Sequence, residues 1–306
     1  MKGINLKERS FDSSTKQQTP PNPVVFSSFK LKKPLPKVPK KLMIYKTINP
    51  EISLEEIRSL MKAFGLQGEI IDNQKQFIIR DRDKVLEVFK QPGTGYIRFS
   101  NDKKLGIEKL AHNLPSEGTA VRKALRFLKT KVLLPENSFV SGIGYFEFIK
   151  RDTHGEIIEQ GKSALAVRFG FKIEEMRIEG PGAKADVVFG DKGEIIEASK
   201  IWREIEEDKA IKIVTPEEAF TKFKQRWPEE AEPEQLKRAD IRTEVNVHEV
   251  YLTYYTKPGC IPQKRIFPFY FFEGISKTHG KIEDSDRFKI IIPAIPESYM
   301  KNKYYM

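Results

Sequence analysis

The chain holds one cysteine in 306 residues, so it has no internal disulfide framework and no cysteine-based zinc finger. No apolar run approaches 18 residues, which excludes a transmembrane helix from the sequence as read. Histidine is scarce too. His112, His154, His248 and His279 form no His-x-x-x-His pair and no zincin arrangement, so a catalytic zinc has no ligand set. His154 and His279 each precede a glycine and read as turn residues, while His248 lies inside a strand pattern. Ser141 and Ser163 lack a nucleophile elbow. In Gly180-Pro181-Gly182-Ala183-Lys184, Ala185 stands where a phosphate loop needs Ser or Thr, and an alternating strand follows where a helix should open. Asp81/Asp83 and Asp284/Asp286 lack the ligand run and the turn glycine of a calcium loop. Cys260, within Lys257–Pro262, reads as a loop thiol. No catalytic set assembles, and no cofactor or metal is implied.

What is present is unevenly placed. Residues 1–50 carry eleven Lys or Arg against Glu8 and Asp12, so this segment supplies +9 of the formal +11. It also holds seven of the 19 prolines. Proline removes backbone donors and lysines repel one another, so residues 1–41 are expected to form an extended, flexible arm or linker. Lys30, Lys32, Lys33, Lys37, Lys40 and Lys41 are its candidate contacts with an anionic surface, either lipid or nucleic acid.

A helix followed by strands then recurs three times. Ser53-Leu54-Glu55-Glu56 is a capping box, Leu54, Ile57, Leu60, Met61 and Phe64 share a helical face, and Gly65 ends it. Short strands follow over 69–72, 77–80, 85–90 and 96–100. The second helix opens at Ser116, with Val121, Ala124, Leu125 and Leu128 on one face. Behind it come 139–151, the alternating run 165–171, and a hairpin in which 185–189 and 194–201 flank Gly190-Asp191-Lys192-Gly193. Thr215-Pro216-Glu217-Glu218 opens the third helix, before strands over 245–255, 266–272 and 288–292. A change of phase predicts a bulge near His248 or Glu249. The expected fold class is α+β, with repeated units of one helix packed on an antiparallel sheet. Their expected extents are 42–113, 114–213 and 214–306.

Aromatic side chains crowd the last unit. Phe267-Pro268-Phe269-Tyr270-Phe271-Phe272 places five rings in six positions, and Tyr251, Tyr254 and Tyr255 sit on the preceding strand. A core explains one face of each strand. The other face, with Tyr251, Tyr255, Phe269 and Phe271, is a candidate protein-binding surface or nucleobase platform.

The helix openings at Ser53, Ser116 and Thr215, the Phe169-Gly170-Phe171 run, the 179–184 connection, the 187–196 hairpin and Trp202 with Thr215–Ala219 resemble the PepSY-like superfamily. That group includes peptidase propeptides and the YycH- and YycI-like extracytoplasmic regulators. The likeness spans residues 42–296 and is closest over 139–225. It implies a non-enzymatic, regulatory protein that binds a partner such as a peptidase or an envelope signalling protein, in an extracytoplasmic setting. The residues leave two alternatives open: a nucleic-acid-binding protein working through the basic arm, and a structural envelope component. Met1–Lys7 contains no apolar signal-peptide core, which favours a cytoplasmic alternative for location.

Overall fold

The computed structural model of the chain describes residues 26–48, 52–90, 95–105, 110–131, 133–230, 242–259, 261–278 and 287–300. Among these residues, fifteen strands and four helices follow in chain order. β1 spans Phe26–Leu31 and β2 Lys41–Thr47; α1, Leu54–Phe64, precedes β3 Glu69–Asp72, β4 Gln76–Asp81, β5 Lys84–Phe89 and β6 Tyr96–Asn101. α2, Glu117–Thr130, leads into β7 Ser138–Arg151, β8 Ile157–Ile173, β9 Met176–Glu179, β10 Lys184–Phe189, β11 Ile195–Ile201 and β12 Ile205–Lys212. α3, Pro216–Glu230, is followed by β13 Arg242–Tyr255, β14 Arg265–Thr278, β15 Arg287–Pro293 and the short α4, Glu297–Met300.

Local chemistry accounts for the starts of α1 and α3, whereas Ser116 before α2 makes no side-chain capping bond. Ser53 Oγ accepts from the Glu56 backbone N–H while Glu56 accepts from the Ser53 N–H, and Gly65 closes α1 at φ 67°. Thr215 and Glu218 make the same reciprocal pair at α3. β13 has its register shift between Val247 and Glu249, leaving His248 as the bulged residue.

The expected fold class is overturned at the level of the sheet. Strands take 52% of the described residues and helices 18%, and the strands join into one mixed fifteen-stranded sheet instead of separate helix-on-sheet repeats. The main path runs β12-β2-β14-β13-β9-β8-β10-β11-β6-β5-β4-β3, with β1 on β13, β15 on β14 and β7 on β8. Pairing crosses the expected unit limits. β6 pairs with β11, β2 pairs with both β12 and β14, and β9 bridges β8 to β13. The physical reason is edge satisfaction: a short sheet leaves rows of unpaired N–H and C=O groups, and joining edge to edge satisfies them. The arm is corrected as well. Residues 1–25 lie outside the described residues, but Phe26–Leu31 is a strand that runs parallel to Arg242–Val247 of β13.

Two cores flank the sheet. Leu165, Val167 and Phe169 of β8, Ala185, Val187 and Phe189 of β10, and Leu86, Val88 and Phe99 form the inner face under Ile57 and Phe64 of α1 and Ala120, Ala124 and Leu128 of α2. The reverse face carries charge instead: Arg168 bonds Asp186 at 2.8 Å, and Arg98 lies between Glu197 at 2.9 Å and Glu87 at 3.4 Å. Period-two patterning thus gives an apolar inner face and a mixed reverse face, where the charged pairs lie beside a small buried cluster of Ala164, Val188 and Ile196. The second core packs Ala219, Phe223 and Trp227 of α3 on Val245, Tyr270, Phe272, Ile290 and Ile292. Phe223 stacks on Phe272 at 4.6 Å, and Phe29 of β1 meets it edge-on at 5.7 Å.

An ion pair secures the seam of β12, β2 and β14. Asp208 accepts from Arg265 Nε at 2.6 Å and lies 3.7 Å from Lys46 Nζ. Burial pushes its carboxyl up, but the Arg265 hydrogen bond and charge, with Lys46 and Lys209, outweigh that and hold it below the usual aspartate range. Stability from a depressed carboxyl is complete above the unfolded value of about 3.9 and is lost as pH falls through the lower folded value. Asp208→Asn is therefore expected to lose about 2 kcal/mol at pH 7. It should also show a shallower fall between about pH 5 and 2 than the parent in urea titrations. Parallel pH curves for the two proteins would refute this assignment.

Candidate functional site

The lysines expected to line a free arm are dispersed. Lys30 is on β1, 3.1 Å from Glu244. Lys32, Lys33, Lys37 and Lys40 are exposed along the extended link to β2, and Lys41 opens β2 opposite Lys212. The link is anchored beneath them: Leu31, Val38 and Leu42 pack against the second core, and the Lys32 N–H donates to Val247 O at 2.9 Å. The cations project outward from a docked segment.

The four aromatic candidates do come together. Tyr251 and Phe271 stack at 5.2 Å with 8° between their planes, and Tyr255 reaches Phe271 at 6.4 Å and Phe269 at 5.5 Å. Phe271 is 1% exposed, so it is the floor of the cluster and not its surface. Lys289 Nζ lies 5.1 Å over Phe271 and bonds Glu273 at 2.9 Å and Glu179 at 3.0 Å. The Tyr251 hydroxyl donates to Glu273 Oε1 at 2.7 Å. Burial pushes the Tyr251 phenol up, with Glu273 and Glu179 adding to it against Lys289. Burial alone would lower Lys289, yet Tyr251, Glu273 and Glu179 raise it. This cluster satisfies its own polar groups.

The chemistry-poor motifs behave as connections. Residues 180–184 lead straight into β10, and the Arg203 guanidinium bonds Gly182 O at 3.4 Å. Asp81 accepts from the Gln67 N–H and Asp83 lies 3.9 Å from Lys103, while Asp284, Asp286, His279 and Cys260 lie outside the described residues. Among the described residues no group of three His, Cys, Asp or Glu side chains is placed to hold a metal. No helix among them is long and apolar enough to cross a membrane.

A third feature lies on the β7–β8 ribbon. β7 pairs with β8 alone, so one side of a 14-residue strand has no neighbour among the described residues. Eleven large apolar side chains in the described residues are exposed, and seven of them lie on this ribbon: Val140, Ile143, Tyr145, Phe146, Ile149, Ile157 and Ile158. Scattered exposed apolar residues are ordinary, but such a concentration on an open edge is not. The ribbon is held at mid-strand and at its tip. Tyr145 Oη donates to Glu117 of α2 at 3.1 Å. At the tip, Asp152 Oδ1 accepts from the His154 and Glu156 N–H groups, both at 2.9 Å. Gly142 and Gly144 leave open space along the strand. In sequence, apolar residues at both parities over 139–149 were the available signal, and they read equally as a buried strand.

No family model matches the chain, and no curated protein matches it. Among solved structures it is similar to an uncharacterized protein from Eubacterium rectale, at 13% identity over 89% of each chain, with a TM-score of 0.40.

Proposed function

We propose that this chain is a non-enzymatic binding protein that engages a protein partner by strand addition along β7. The observation that supports this is the unpartnered edge of a long strand with exposed apolar side chains on both faces. Backbone groups along such an edge supply sequence-tolerant hydrogen bonds, and side chains such as Phe146 and Ile149 supply apolar contact. The PepSY-like resemblance contributes the class of partner, a peptidase or an envelope signalling protein, and an extracytoplasmic setting.

The test compares the full chain with a Phe146→Asp, Ile149→Lys double variant. Both side chains are exposed, at 41% and 44%, so thermal melts of the two proteins are expected to agree within a few degrees. Captured partner should be weakened about tenfold or more in the variant, because an unpaired charge would be buried in the new interface. In the complex, hydrogen exchange is expected to slow over residues 142–151. Unchanged capture, or protection confined to other strands, would refute the reading. A dimer of the purified chain that the variant dissolves would make a second copy the occupant. Capture abolished by nuclease would transfer function to the basic N-terminal segment.

A further inference from the structure

A cavity of about 370 Å³ lies between α1 and the inner face of the sheet, within the usual ligand-pocket range of ~300–1,000 Å³. Ile52, Leu60, Val88, Ile97, Leu133 and Trp202 supply apolar wall. Into this wall comes Lys200. It shares the core-facing parity of Ala198 on β11, and its register partners are Ala185 on β10 and Ile97 on β6. Alternation along β11 would therefore place an apolar side chain at this position.

The ammonium group is in an unfavourable setting. Burial pushes the Lys200 amine down from its ordinary value, with Glu204 opposing only in part. No carboxylate among the described residues lies within 4.0 Å of it. The other two lysines of the wall are engaged: Lys90 with Asp72, and Lys131 with the Ala63 carbonyl and over the Phe64 and Phe127 rings. Glu56 is taken up by the Ser53 cap, and Glu204 is exposed. Four basic residues, Lys90, Lys131, Lys200 and Arg203, face two acidic ones around this space. The cavity is thus apolar-walled, with more basic than acidic residues around it, and among the described residues Lys200 has no carboxylate within ion-pair distance.

We infer that this cavity binds a small amphipathic monoanion, an apolar body bearing one carboxylate, with Lys200 supplying the counter-charge. A carboxylate there gives the half-buried ammonium a close partner. The apolar body replaces water against Leu60, Val88, Ile97 and Leu133.

Decanoate is a suitable probe and decanol its uncharged control, both titrated below micelle concentrations into the full chain. Trp202 reports locally, because the second tryptophan, Trp227, is buried in the α3 core. Saturable binding is expected, with decanoate preferred over decanol by about tenfold or more, a factor that corresponds to one good charge contact. Lys200→Met keeps side-chain length and removes the charge, so it should erase the preference while retaining decanol. Leu60→Phe narrows the space without adding a third tryptophan to the readout and should weaken both. Absence of saturable binding, equal affinities in the parent chain, or a preference that survives Lys200→Met would each overturn the assignment. The acid–alcohol comparison on the parent stands even if a variant fails to fold.

Discussion

Replacing Arg203 with methionine is expected to lower stability by about 4 kcal/mol, the largest effect of any single substitution considered. Arg203 is 1% exposed and lies two residues after the end of β11. Its Nη1 donates to Gly182 O at 3.4 Å and Lys257 O at 2.9 Å, and its Nη2 donates to Pro258 O and Ile261 O, both at 2.9 Å. One planar fork thus ties the connection before β10 to the loop after β13. Backbone crowding confirms how tightly the parts fit, since a Cβ at Gly182 would stand 2.0 Å from Lys257 O. Methionine fills part of the volume but takes a donor from the buried Gly182 carbonyl and from the part-buried Lys257, Pro258 and Ile261 carbonyls, of which Pro258 O keeps the Ile261 N–H, and each unsatisfied group costs about 1–3 kcal/mol before relaxation. Relaxation and water entry bring the sum down to about 4 kcal/mol. Arg203→Lys keeps the charge, yet a single ammonium cannot span the four acceptors, so it should recover less than half of the loss. Urea unfolding is the measurement, with a melting temperature lower by on the order of 10 °C as its thermal counterpart. A loss under about 1 kcal/mol would show that the loops hold without the clamp.

How far such features can be read from sequence depends on whether their cause is local. Ser53, Glu56 and Gly65 specify both ends of α1 from residues within one turn of each end, and the bulge at His248 shows in the phase of its neighbours. The Gly190–Gly193 turn is equally local, with Lys192 and Gly193 at positive φ. What could not be read was the joining of distant edges. β6 and β11 meet over a separation of about a hundred residues, and no local pattern records a partner. The joining strands also hide by composition. β12 reads Ile-Glu-Glu-Asp-Lys-Ala-Ile-Lys, with Ile211 its one fully buried large side chain, and β9 is four residues long. Helix-then-strands was therefore correct three times in order and wrong as architecture.

The candidate surfaces divide along the same line. The aromatic run marked a true cluster, but parity alone does not say that Tyr251 and Tyr255 would cover Phe271 and leave it buried. Lys200 left a faint signal, since it falls two residues beyond Ala198 on a half-buried strand. A lysine at a strand end reads as surface until the opposing helix is placed. Charge misled most in the N-terminal segment. Lysines at 30, 32 and 33 dominate its composition, while Phe29 and Leu31, the residues that dock it, are two among many.

That segment gives the second large effect: a chain starting at residue 42 is expected to be less stable than the full chain by roughly 4 kcal/mol. Truncation removes β1 and its six register pairs with β13. It strips Phe29 from Phe223 at 5.7 Å and from Trp227 at 6.1 Å, and it takes Leu31 and Val38 off the second core. Three half-buried apolar side chains at roughly 1 kcal/mol each supply most of the figure. The ladder supplies the remainder, because Val245 and Asn246 lose a strand that covers them. The Lys30–Glu244 pair adds little, being exposed at 60% and 39%. Phe29→Ala separates docking from length: it keeps every residue of the segment and should cost about 2 kcal/mol. If the shortened chain unfolds at the same urea concentration as the full one, the segment is a free arm after all. If it is destabilised as expected, any binding lost on truncation reports the damaged α3 core before it reports lost lysines. Nucleic-acid or lipid contacts of the arm must then be tested by charge reversal at Lys32, Lys33 and Lys37, whose side chains are exposed.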